Sequence, residues 1–124
     1  MNLILSAVLA IAAAAPQQAM PPVSSPPSQL SQENQALVRC SAAFALVSFA
    51  QANSDAEARK WPQIDPRGRE FFVRALAQVM DSTGLGRDAV AALVESEARA
   101  LLDRGEVDQV MPACLLMLDA SGVE

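Results

Sequence analysis

The sequence predicts an all-α protein, a small bundle of about four helices with one disulfide joining the first helix to the last. Three observations carry this expectation. From Ser31 onward apolar residues recur at helical spacing, and no alternating apolar–polar window is long enough for a strand. Glycine and proline cut that stretch into helix-sized blocks. Cys40 and Cys114 fall in the first and last blocks, each on an apolar face. In an exported chain such a pair reads as a disulfide.

Three regions follow from composition: a signal peptide over 1–15, a Pro/Gln/Ser-rich disordered leader over 16–30, and a helical domain over 31–124. The run Leu3–Ala15 has the length of a signal-peptide apolar core and is too short to span a bilayer. Small residues at Ala12 and Ala14 fit the A-x-A pattern, so cleavage is expected near Ala14 or Ala15. Only the terminal amine supplies positive charge before the run. The leader holds Pro16, Pro21, Pro22, Pro26 and Pro27 and offers little apolar surface to bury.

In the helical domain, Ser31 is placed to cap a first helix running to about Ala52. Between Ala36 and Ala50 its polar side chains are Arg39, Ser41 and Ser48. A helix apolar nearly all round belongs in the middle of a bundle. Ser54 and Glu57 match a capping box for a short extra turn, which Trp61-Pro62 must end. Asp65-Pro66 then reads as a start signal, with the carboxylate capping free N–H groups and proline in the first helical position. The second helix is expected to turn Phe71, Phe72, Ala75, Leu76, Val79 and Met80 inward and to end at Gly84. A third helix, about Arg87 to Arg104, should bury Val90, Leu93, Val94, Ala98, Leu101 and Leu102, pair Glu95 with Arg99, and stop at Gly105. The last, about Val107 to Ala120, has Val110, Met111, Cys114, Leu115 and Leu118 as its inward stripe. Pro112 should mark its start or bend it.

Charge and composition exclude several function classes. A net charge of −5 disfavours nonspecific attraction to nucleic acid or anionic membranes. Histidine and tyrosine are absent, which removes the commonest general base and metal ligand. Met111, Cys114 and Met117 place soft sulfurs on one sector of the last helix, but a cuprous site needs Cys114 free, and core packing explains them. Asp103, Glu106 and Asp108 lack the spacing of a calcium loop. No cofactor or metal is therefore expected.

Two misfits and one surface remain. Glu97 lies among apolar neighbours on the third helix and Arg39 interrupts the apolar first helix. A buried ion pair of Glu97 with Arg39, or with Arg74, would remove the cost of an unpaired carboxylate facing a core, and a place for each at the rim of its face would avoid that cost altogether. Residues 59–74 concentrate Arg59, Lys60, Arg67, Arg69 and Arg74, whereas the chain beyond them is net acidic. Arg59, Lys60, Trp61, Arg67 and Arg69 are thus the expected partner surface, suited to an acidic protein.

The apolar leader, the Pro/Gln-rich spacer, Arg39-Cys40 opening an alanine-rich helix, Phe71-Phe72 and a last cysteine at Cys114 together resemble small exported two-cysteine helical proteins of alphaproteobacteria. That resemblance implies export, helices and a disulfide, and no activity. The leading expectation is a noncatalytic periplasmic protein that binds another protein and leaves the membrane after signal cleavage. A carrier holding a small apolar ligand inside the bundle is the alternative. An enzyme would depend on Glu97, the one carboxylate placed for a raised pKa in a cleft.

Overall fold

The computed structural model describes residues 30–124; the expected signal peptide and nearly all of the leader lie outside them. The described residues form four α-helices and no strand: α1 Gln32–Ala52, α2 Arg67–Thr83, α3 Arg87–Arg104 and α4 Val107–Ala120, with a short 3-10 turn at Ala56–Lys60.

Helix α1 begins where Ser31 Oγ accepts the Asn34 N–H at 3.1 Å. It packs against α2, α3 and α4 in turn, whereas α3 and α4 make little contact with each other. Its nearly unbroken apolar character is the cause: Leu37, Val38, Ala42, Ala43, Phe44 and Val47 are all buried. By length and composition α1 could equally cross a membrane, and in the bundle its buried side is the core. Around it, α2 contributes Phe71, Ala75 and Val79, α3 contributes Val90, Val94 and Leu101, and α4 contributes Met111, Cys114 and Leu118. Phe44 and Phe71 meet edge to face with ring centroids 5.3 Å apart.

Cys40 of α1 and Cys114 of α4 form the expected disulfide, with Cα atoms 5.2 Å apart at a sequence separation of 74. Beyond α4 the chain folds back. Val123 is buried, and Arg67 donates to its carbonyl from both Nε and Nη2 at 3.3 Å.

Several local expectations need correction. Pro66 occupies the cap position rather than the first turn of α2, and Asp65 makes no cap bond. The Gly68 N–H is already taken by the Ile64 carbonyl at 2.8 Å, so the Asp65 carboxylate turns to Arg69 at 3.4 Å. Ser54 does not cap the 3-10 turn, because it sits at φ 60°, ending α1. Asp55 caps it instead, accepting the Glu57 N–H at 2.9 Å. Leu102 is not inward: it is 60% exposed, since its neighbour Leu101 takes the buried position and adjacent helical residues diverge by 100°. Pro112 lies inside α4, where the carbonyl of Asp108 loses its usual N–H partner. Gly84 and Gly105 end α2 and α3 in the left-handed conformation, as expected.

Two small residues occupy close-packed, buried positions. A Cβ on Gly68 would lie 2.2 Å from Ile64 Cγ2 and 3.5 Å from Phe44 Cβ. Ile64 is itself fully buried, so it has little room to yield. Ser41 is also fully buried, and its hydroxyl has no hydrogen-bond partner among the described residues. Opposite effects are expected from alanine at the two positions. Gly68→Ala gains about 1 kcal/mol of helix propensity but incurs about 1–3 kcal/mol of overpacking, so it should lower stability. Ser41→Ala removes an unpaired hydroxyl and should raise stability by about 1 kcal/mol. Urea denaturation of the two variants beside the parent protein measures both.

Candidate functional site

The connection between α1 and α2 is organised by one side chain. Gln51 Nε2 donates to the carbonyls of Pro62 at 2.9 Å and Ala58 at 3.2 Å, and Gln51 Oε1 accepts the Ile64 N–H at 3.0 Å. This amide stands in for the ladder that an irregular segment lacks. It fixes Trp61 against the C-terminal half of α1, where the ring is half-buried.

A groove of about 290 Å³ opens there. Leu46, Val47 and Ala50 of α1 form its floor, Leu102 and Val107 line the α3–α4 side, and Trp61 stands on the other. Its rim is charged. Lys60 Nζ lies 2.5 Å from Asp108 Oδ2, 3.4 Å from Glu57 Oε2 and 5.8 Å from the centroid of the Trp61 ring. The hydrogen bond that Lys60 donates to the Asp108 carboxylate is the main reason its ammonium is held above its ordinary pKa, with Glu57 adding to it and partial desolvation opposing.

A second groove, about 400 Å³, lies between α1 and α2. Phe44, Ala45, Ser48 and Phe49 line one wall, and Gly68, Arg69 and Phe72 the other. Phe49 is 72% exposed on α1 and so offers its ring to whatever enters.

The five residues expected to make one basic surface do not form one. Lys60 and Trp61 flank the first groove, Arg69 lines the second, and Arg67 faces the C-terminal tail. Nor is the charge free: Lys60 is answered by Asp108, Arg67 by Asp119 at 3.1 Å and Arg69 by Asp65. Arg59 is exposed and lines neither groove. The sequence separations of the first two pairs, 48 and 52 residues, explain why no local pattern showed them.

Arg39 and Glu97 do meet, Nε to Oε1 at 3.1 Å, but as a rim pair rather than a buried one. Their side chains are 51% and 29% exposed, so both heads reach water and the expected burial cost does not arise. Arg74 pairs with Glu70 on its own helix instead. Met111 is fully buried and Cys114 is disulfide-bonded, which leaves no free thiolate for a cuprous ion at that position. No group of three or more His, Cys, Asp or Glu residues able to hold a metal occurs among the described residues.

Sequence reasoning missed Asp108 as the partner of Lys60 and missed the exposure of Leu102 and Phe49. The Leu101-Leu102 doublet was the available signal for the exposure of Leu102, since adjacent helical residues cannot both face the core. Comparison with protein-family models, curated proteins and solved structures finds no match to this chain.

The Lys60–Asp108 contact carries a pH signature. A lysine whose folded pKa is raised stabilises the fold below its ordinary titration range and loses that contribution as pH rises through the raised value. Asp108→Asn should therefore lower the urea midpoint at neutral pH, and the difference from the parent should close on titration into the alkaline range.

Proposed function

We propose that this chain is a noncatalytic exported protein that acts by binding a polypeptide partner, with the groove beside Trp61 as its binding surface. The supporting observation is the groove itself. It combines an aliphatic floor, a half-buried tryptophan, an exposed leucine at Leu102 and a charged rim. Interfaces concentrate their energy on such an aromatic anchor within a polar surround. Export is supported by the apolar run Leu3–Ala15 and by the Cys40–Cys114 disulfide, since such bonds persist in oxidising compartments such as the periplasm. The noncatalytic reading is supported by Glu97, whose carboxylate is engaged by Arg39.

A second reading has its own observation. The apolar α1–α2 groove, with Phe49 and Phe72 on its walls, has the size and lining for a small apolar ligand, and its place is the surface rather than the bundle interior. Native mass spectrometry of the periplasmic protein should then show a bound lipid or metabolite that Phe49→Ser releases, and a ligand-free mass would retire the carrier.

The binding reading is tested by crosslinking in cells. A specific partner should be captured from the periplasm by the parent protein and by Leu116→Asp, which alters an exposed leucine on α4 away from the groove. Capture should fail for Leu102→Asp. Capture indifferent to Leu102→Asp, or a protein found only in the cytoplasm, would contradict the proposal.

A further inference from the structure

Resting on the polypeptide-binding reading, we infer that the groove beside Trp61 takes a cationic amphipathic segment, with an apolar face on Leu46, Val47 and Leu102 and a lysine or arginine at the rim. The sign is opposite to the one the basic sequence cluster implies. Three carboxylates line the groove, Asp55, Glu57 and Asp108, against one cation, Lys60. Asp55 and Glu57 are exposed, and Asp108 is exposed at the start of α4.

Lys60 shows what this cradle accepts. Its ammonium is bound by Asp108 and Glu57 and lies over the Trp61 ring, the combination of carboxylates and an aromatic face that holds an alkylammonium group. The Lys60 side chain is nevertheless 42% exposed, on a flexible stem, and exposed ion pairs of this kind are weak. An incoming ammonium or guanidinium can displace it without breaking the core, and Lys60 swings into solvent. Lys60 is therefore an internal competitor for the ligand's own cation. An acidic segment would meet the reverse situation: it would need Lys60 as its partner and would face three carboxylates around it.

The groove reports on itself, because Trp61 is the one tryptophan in the chain. The probes are a tryptophan-free amphipathic helical peptide of leucine, alanine and lysine and its counterpart with glutamate for every lysine. The lysine peptide should shift Trp61 emission saturably, more weakly at high salt, and the glutamate peptide should not. Lys60→Gln should tighten the lysine peptide by about two- to fivefold, the worth of an exposed ion pair. Glu57→Gln should weaken it by a similar factor, and Leu102→Ser should abolish the shift. A circular-dichroism melt of each variant verifies that it is folded. If the glutamate peptide binds and Lys60→Gln weakens it, the cationic inference is overturned while polypeptide binding stands. Binding of the lysine peptide that survives Leu102→Ser is surface attraction only and overturns the inference. If neither peptide shifts Trp61, the inference also falls, and the crosslinking result at Leu102 then decides the broader reading by itself.

Discussion

The packing of α1 against all three other helices is the constraint on which the rest depends. A helix so apolar has no solvent face of its own over most of its length, and burying it requires neighbours on several sides. Helices α2 and α3 cover it through the hairpin at Gly84–Gly86, and α4 is fastened to it by Cys40–Cys114. Because α3 and α4 scarcely touch, the bundle has no closed ring of helix contacts to hold it together. With about 90 residues in the domain the core is also thin, and a covalent link across it removes much of the chain entropy that folding must otherwise overcome. The buried tail at Val123, clamped by Arg67, closes the end of the bundle where α4 meets α2.

The same geometry explains why the grooves exist. Three helices cannot fully cover a helix apolar on every side, so strips of α1 stay open where its neighbours diverge. Phe49 emerges beside α2, and Leu46 and Ala50 form a floor beneath Trp61. In this sense the surface apolar residues follow from the burial of the core helix. The Gln51 amide turns one of these openings into a shaped site, because it holds the irregular segment that carries Trp61 on one side of it, with the start of α4 on the other.

Much of this fold was legible in the sequence because it rests on local rules. The Ser31 cap, the two glycine stops, the inward stripes of α2 and α4 and the placing of both cysteines all depend on residues within a turn or two of each other. Misreadings came where a local rule met a competing local use of the same residue. Ser54 was drawn into ending α1, and the bond that Asp65 should have made was already made by Ile64. The candidate site was hardly legible at all. Its basic cluster looked coherent because its members are close in sequence, yet helical turns and the intervening loop point them to three different places. The carboxylates that neutralise Lys60 and Arg67 arrive from α4, across tertiary contacts that no sequence pattern marks. Arg39 and Glu97 were identifiable as misfits on their helices, but whether they lay in the core or at its rim depended on how α1 and α3 cross.

Helix α1 is a hub that needs its covalent tie to α4, and equilibrium urea unfolding with and without reductant tests this most directly. Closing a loop of this length is worth about 4–5 kcal/mol in the chain-entropy model, a large part of the stability of a small domain. Reduction should shift the midpoint to much lower urea, with the whole helical signal lost in one cooperative step. An unchanged midpoint, or loss of α4 alone while the other helices persist, would contradict it.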